Sequence, residues 1–462
     1  MIRFSNGACL AGLLLLLGSA STCLARDGGG SGVSTDQYPT IQAALDANPG
    51  KVIEVSPGVH EIKEALRIST PGGGLVGSAT IVQTDPAHSL VRIDHAQGAI
   101  LKGLTLTRPE GRRETKVEAV VALDSRDVSL VDLRVIDNQT RASAIELRNC
   151  VDSQIRDCLV QNYQRVDIDD RTDTPDQGYA FRCVIGTGIL IRECQGILIQ
   201  GNKVREDRLV ATPEVKKEFS LGKYTKKNPA RGRITNARDW ERGETDNWMQ
   251  GTAIHIGSPE VTDGVQVIGN LVERAGQGFD IHADHVTLSQ NIVNDALIGM
   301  KAMHGSKHVI VMGNQFIKNT LWSIGMMPGA ASLPAKAAEG GKPARPANVD
   351  GGSIIANNII TDFGLGQTRW VWGDDNLGCP IRFDHAQVPE NPPLTDVIIM
   401  GNVVYDTGRD TIIKDGKPEI VPPRYRYAVL VEPGQSAPLG LHFSNNVFHP
   451  GTQGISNVDL EP

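Results

Sequence analysis

GTAIHIG at residues 251–257 and GFDIHAD at residues 278–284 share one grammar: Gly, two variable positions, Ile, His. The repetition gives His255 and His282 the same place in a repeating frame, with Asp280 beside the second. Lys301 follows in the next stretch, and Arg148 and Arg192 precede at comparable places. Such a set suits proton transfer beside negative charge. Imidazole titrates near neutral pH and serves as general acid or base. Arg grips planar carboxylates through paired hydrogen bonds. A cation that neutralises a carboxylate stabilises the enolate-like state formed when the adjoining carbon loses its proton. The roles follow: His282 or Lys301 as base, His255 as acid toward a leaving glycosidic oxygen, Asp280 orienting His282 or holding Lys301. Arg148 and Arg192 would bind carboxylates on successive sugars, so the expected partner is an anionic polysaccharide or oligosaccharide.

Further residues are candidates for substrate binding. Residues 215–238 carry eight Lys/Arg against one Glu in a chain of net charge −7. This local reversal suggests a polyanion, with Lys227 among the contacts and Phe219, Tyr224, Trp240 and Trp248 able to stack on sugars. Nucleic acid is the rival polyanion, and the acidic remainder of an exported chain argues against it. WVWGDDNLGCPIRFDHAQ at 370–387 adds Trp370, Trp372, Arg382 and Asp384; His304 joins the substrate-binding set. DIDDRTDTPD at 167–176 could hold Ca2+, although an acidic solvated turn accounts for it as well. No Gly-x-Ser-x-Gly elbow or Cys-rich zinc spacing occurs. His255, His282 and Asp280 could bind a metal, but a metal-free site requiring no cofactor is preferred.

The elements that position these groups repeat. ILIQGN, VQVIGN, VTLSQN, VIVMGN, SIIANN, VIIMGN and LHFSNN end at Asn202, Asn270, Asn291, Asn314, Asn358, Asn402 and Asn446. The last five intervals are 21, 23, 44, 44 and 44, one or two multiples of about 22. Short Val/Ile strands on either side of each Asn predict a parallel β-helix: coils of three strands and three turns, stacked about 4.8 Å apart. Asn suits a left-handed turn, and its stacked amides can hydrogen-bond along the ladder. Leu104, Leu133 and Cys158 take that place in earlier coils. Ile41, Ala44 and Leu45 form one apolar helical face, suited to plugging the open end of the stack.

Aligning the coils on the strand after the post-Asn turn makes Leu147, Ile191, Ile254, Ile281, Ala302 and Gly325 inward. The outward stripe then reads Asp94, Asp124, Arg148, Arg192, His255, His282, Met303, Met326. A second, two residues earlier, reads Glu146, Leu190, Ala253, Asp280, Lys301, Ile324. His255 and His282 are thereby expected to stack, Asp280 and Lys301 to be neighbours, and Met303 and Met326 to form an exposed groove floor. Extra length concentrates at 164–186, 206–250, 327–350, 364–378, 385–395 and 408–425, in turns bounding this strand.

Residues 1–25 hold one Arg, an apolar run at Leu13–Leu17 and then Cys23-Leu24-Ala25, which reads as a signal peptide. Export to the periplasm or beyond is expected, ahead of lipid anchoring at Cys23. The run is too short to span a bilayer, so no integral membrane segment is expected. The mature part, 26–462, reads as one β-helix domain with 206–250 as a basic, aromatic insertion, and a monomer is expected. Cys150, Cys158, Cys183, Cys194 and Cys379 are an odd number, so at least one thiol stays unpaired; Cys150 and Cys194 fall at equivalent places, to bridge or to stack.

The opening YPTIQAALDANPGKVIEVSPGVHEI, residues 38–62, together with the Asn ladder, resembles the pectin-lyase-like single-stranded right-handed parallel β-helix superfamily over nearly the whole mature chain. That resemblance implies the fold and leaves lyase, hydrolase, epimerase, esterase and adhesive roles open. FDIHAD, residues 279–284, is also similar to the Asp-Pro-His-Asp motif of mannuronan C5-epimerases, whose first Asp and His fall on Asp280 and His282. Ile281 replaces the Pro, and Ala283 intervenes before Asp284. The leading expectation is a polysaccharide lyase acting by β-elimination on uronates. A uronate C5-epimerase, a glycoside hydrolase pairing Asp280 with Asp384, and a glycan-binding module without catalysis are the alternatives.

Overall fold

The computed structural model describes residues 32–460 except 169–179, 211, 227–248, 329–334, 340–343, 345–346, 369–377, 386–390, 407–410, 421 and 435. Val33–Pro462 is one compact unit. The expected signal peptide, Lys227, Trp240, Trp248, Trp370, Trp372 and most of the 167–176 segment lie outside the described residues. No helix among the described residues is long and apolar enough to cross a membrane.

Three long parallel sheets, of 13, 12 and 12 strands among the described residues, run the length of this unit. The chain visits them in strict rotation: Val52–Glu54 in the first, Val59–Ile62 in the second, Leu66–Ile68 in the third, then Gly74–Val76 back in the first. Alternation fills the interior, since each short strand sends every other side chain inward. Leu75, Leu101, Leu130, Ile155 and Ile199 make one such file in the first sheet and are fully buried. Helix Ile41–Ala47 covers the N-terminal end with Ile41, Ala44 and Leu45, capped by the Thr40 hydroxyl on the Ala43 N–H.

The Asn ladder joins the first sheet to the second. Each Asn side chain donates to the Oδ1 of the next at 2.9–3.1 Å and also to a backbone carbonyl at 2.9–3.0 Å, from Asn202 up to Asn402. Cys158 ends the ladder, its N–H donating to Asn202 Oδ1. The conformational expectation needs correcting. The left-handed residue is the one before each ladder Asn: Gly201, Gly269, Gln290, Gly313, Asn357, Gly401 and Asn445 have φ between 52° and 67°. The ladder Asn is retained for its amide, which satisfies buried backbone groups. The five described cysteines are free and buried, and Cys150 and Cys194 stack as thiols, with Cys194 Sγ accepting from the Cys150 N–H at 3.3 Å.

Candidate active site

The third sheet carries the chemistry. One outward row reads Glu146, Leu190, His255, Asp280, Lys301, Gly325, Arg382 by strand register. A second, two residues further along each strand, runs Arg148, Arg192, Gly257 and continues through His282 and Met303. His255 therefore stands opposite Asp280, where the aligned phrases had placed it opposite His282. Asp280 and Lys301 are neighbours, as expected, and so are Arg148 and Arg192. Three further positions need correction. Asp124 lies one residue past the row, in a left-handed turn, with Leu123 opposite Arg148. Met326 points inward between Ala302 and Phe383, with Gly325 outward, and Met303 is also buried, so the exposed methionine floor does not exist.

The displacement brings the acid to the centre. The Asp280 carboxylate, with only 8% of its side chain exposed, accepts from His255 Nδ1 at Oδ2 over 3.2 Å. Lys301 Nζ lies 3.5 Å from that same oxygen, and His282 Nε2 lies 2.8 Å from Oδ1. The last approach lies off the line of a hydrogen bond. The His255 ring leans over Gly257, where a Cβ would come within 2.9 Å of Nε2, so the glycine makes room for the imidazole. His282 packs edge-to-face on His255, centroids 4.9 Å apart, and His304 packs likewise on His282 at 4.6 Å. His304 follows the second row by one residue, in a left-handed turn at φ 64°.

Burial works against charge on Asp280, but His282, Lys301 and the hydrogen bond from His255 outweigh it and hold the carboxyl well below its usual range. For His282 burial wins over the attraction of Asp280, so its pKa falls below the ordinary 6.5. Burial, with His282 and Lys301 adding to it, takes His304 down to about 3. The site thus holds an ionised carboxylate and a neutral His282 at neutral pH. That imidazole is able to accept a proton.

The arginines fare differently. Arg148 is committed to Glu146, with Nε and Nη2 donating to Oε1 at 2.8 and 2.5 Å. Nothing in the motif reading had marked Glu146 as ionic, or Glu118 beside it, whose carboxyl is pushed up by burial and by Glu146. Arg382 is held by Asp384 at 3.2 Å and Glu432 at 3.0 Å, and lies 5.0 Å above the Trp322 ring. Arg192 is exposed and makes no ion pair with the described residues. Asp284, the last Asp of the motif, leaves the site for the first sheet, where it stands opposite Asp263.

His255, Asp280 and His282 offer ligand atoms within 4.8 Å of one another and could hold a metal ion. The ammonium beside Asp280 already supplies positive charge there. In chain order the insertions flank strands of this sheet. Those at 164–186, 206–250, 364–378 and 408–425 lead into third-sheet strands, and those at 327–350 and 385–395 leave them.

No protein-family model matches the sequence, and no curated protein matches it either. Solved structures do match. A DFA-IIIase variant from Arthrobacter chlorophenolicus, in complex with DFA-III, superposes with a TM-score of 0.55 at 10% identity, covering 93% of this chain and 99% of that one. The Dettilon tailspike protein gives 0.55 at 12%, covering 92% and 66%. The catalytic unit of a GH87 alpha-1,3-glucanase from Streptomyces thermodiastaticus gives 0.50 at 10%, covering 93% and 70%. At such identities the likeness is one of fold, and by its fold the chain is a right-handed parallel β-helix protein.

Proposed function

We propose that this chain is a carbohydrate-active enzyme that removes the C5 proton of a uronate in an anionic polysaccharide, acting as a lyase by β-elimination. One observation carries the reading: a buried, ionised Asp280 gathers His255, His282 and Lys301 on the outward rows of one sheet. His282, neutral because it is buried, is the base. It faces Asp280 through Nε2, which leaves Nδ1 to take the proton. Asp280 stabilises the protonated form of that ring by its charge, and Lys301 steadies the charge that develops on the substrate carboxylate. As the C5–H electron pair forms the double bond, the bond from C4 to the glycosidic oxygen breaks. His255, anchored through Nδ1, gives that oxygen a proton from Nε2. The reading needs no cofactor, and an exported protein would meet such a polymer outside the cytoplasm.

Epimerisation shares the first step and differs in returning a proton to the opposite face. The hydrolase alternative fares worse. Asp280 and Asp384 are three rungs apart, about 14 Å at strand spacing, beyond the roughly 5–10 Å that paired glycosidase carboxylates span.

The test is a panel of alginate, pectin and glycosaminoglycans, followed by ultraviolet absorbance of unsaturated uronate, by deuterium uptake from solvent and by reducing ends. The expected result is rising absorbance. Deuterium uptake without absorbance makes the chain an epimerase, and new reducing ends alone make it a hydrolase. Retention of a polymer with no change in any readout reduces it to a binding module.

A further inference from the structure

A second imidazole pair stands on another face, unused by this chemistry. Asp263 and Asp284 lie opposite each other at the start of first-sheet strands, with Lys307 bridged to Asp284 in the next coil. The residue after each is left-handed: Gly264, His285 and His308 have φ of 66°, 47° and 54°, and Gly352 follows at 58°. Other rungs of this turn use Asp127, Asp152, Gly196 and Asp396, the small or Asx residues that such a backbone favours. Two successive histidines are therefore an unusual choice for the turn itself.

Their rings stack at 4.4 Å, only 19° from parallel, and both turn Nδ1 toward carboxylates. His308 Nδ1 lies 2.6 Å from Asp284 Oδ1. His285 Nδ1 lies 3.4 Å from that oxygen and 3.3 Å from Asp263 Oδ1. Lys307 sits 3.2 Å from the other oxygen of Asp284. Glycines above and below leave the pair uncrowded by side chains on the same turn, and both imidazoles are about half exposed.

We propose that Asp263, Asp284, His285 and His308 form a binding site for a divalent transition-metal ion of the zinc class, separate from the Asp280 centre. Two imidazole nitrogens with two carboxylates are a borderline ligand set, suited to zinc or copper more than to calcium, which takes oxygen ligands in greater number. Ligands about 2.1 Å from one ion are about 3 Å from their neighbours; Asp284, His285 and His308 offer ligand atoms within 4.8 Å of one another, and Asp263 joins them through His285 at 3.3 Å. Two protonated rings stacked so closely repel, whereas a metal keeps both neutral. The rings must rotate from parallel to converge on the ion, and Lys307 must release Asp284; exposed side chains meet both demands. The ligands come from three successive coils, so the ion would staple the stack and stabilise the folded form.

The experiment titrates Zn2+ into the full chain at neutral pH by calorimetry and follows thermal unfolding. One equivalent should bind and raise the melting midpoint. His285→Gln and His308→Gln should each weaken binding by more than about tenfold, the scale reached when even a supporting partner of a metal ligand is lost. His282→Ala should leave binding unchanged. In the wild type, zinc should shift the ring NMR signals of His285 and His308, a readout that does not depend on how the variants fold. No binding by the wild type, undiminished binding in the double variant, or ring shifts confined to His255 and His282 would each overturn the site. None of these readouts involves turnover, so the uronate reading stands or falls separately.

Discussion

Asp280 is the residue on which the site turns. Its charge is tolerated in near-complete burial only because two imidazoles and an ammonium surround it. Asp280→Ala would remove the carboxylate from between Lys301 and two imidazoles, and breaking a buried pair typically costs about 3–5 kcal/mol. We expect loss of turnover together with a clear drop in the denaturant midpoint, and an unchanged midpoint would contradict the electrostatics described. His282→Ala should also abolish turnover. Its ring packs between His255 and His304, so a stability loss of roughly 1–2 kcal/mol is also expected. The pH dependence has a definite sign. His282 and His304 have folded-state pKa values below the ordinary 6.5, about 3 for His304, so the unfolded chain binds protons first as pH falls. Their stabilising contribution is complete above 6.5 and is lost as pH falls toward 3, with the Asp280 contribution lost in stronger acid. Melting temperature against pH should therefore decline through this window in the wild type and more shallowly in His304→Asn. Parallel curves would refute the assignment.

Among the elements, the ladder between the first and second sheets sets the frame in which every third-sheet strand sits. Asn314→Ala would take the acceptor from the Asn291 N–H, one of two acceptors from the Asn291 side-chain amide, both bonds being 2.9 Å long, and a donor from the carbonyl of Leu288. Buried polar groups left unpaired cost about 1–3 kcal/mol each, so a loss of roughly 3 kcal/mol or more is expected in chemical denaturation. A loss under 1 kcal/mol would mean that water enters the ladder. The ladder was legible because its spacing is regular and its residue type constant. The register of the site was less so. Ile254 and Ile256 both point inward, so the His phrases fit two alignments that differ by two residues, and a shift of two keeps the same face outward. The faces of His255, Asp280 and Lys301 were therefore readable, while their vertical partners were not. Met326 shows the other failure: a slip of one residue reverses the face. The role of Glu146 was hidden because its meaning depends on Arg148 two residues on and on Glu118 in the coil beneath.

At the scale of the whole β-helix unit, the site sits mid-stack, and the charge on either side of it is unequal. Toward the C-terminal coils Gly325 presents no side chain, and Arg382 is neutralised by Asp384 and Glu432. Toward the N-terminal coils the His255 ring covers Gly257, and beyond it stands Arg192, exposed and without an ion pair among the described residues. A polymer bearing carboxylates gains more from an uncommitted guanidinium than from one already bound to protein acids, since the latter has no net charge to offer. The chain of sugars should thus extend from His282 across the His255 ring toward Arg192. Arg192→Ala is expected to raise KM several-fold with kcat nearly unchanged, because it removes binding shared by ground and transition states. The effect should grow with oligosaccharide length and shrink at high salt, which screens exposed charge. Arg382→Ala should do the reverse: it leaves KM near its wild-type value and lowers the melting temperature, since Asp384 and Glu432 lose their shared counter-ion. Kinetics on oligomers of increasing length decide the direction, and a KM defect in Arg382→Ala with none in Arg192→Ala would place the polymer on the opposite side of the histidines.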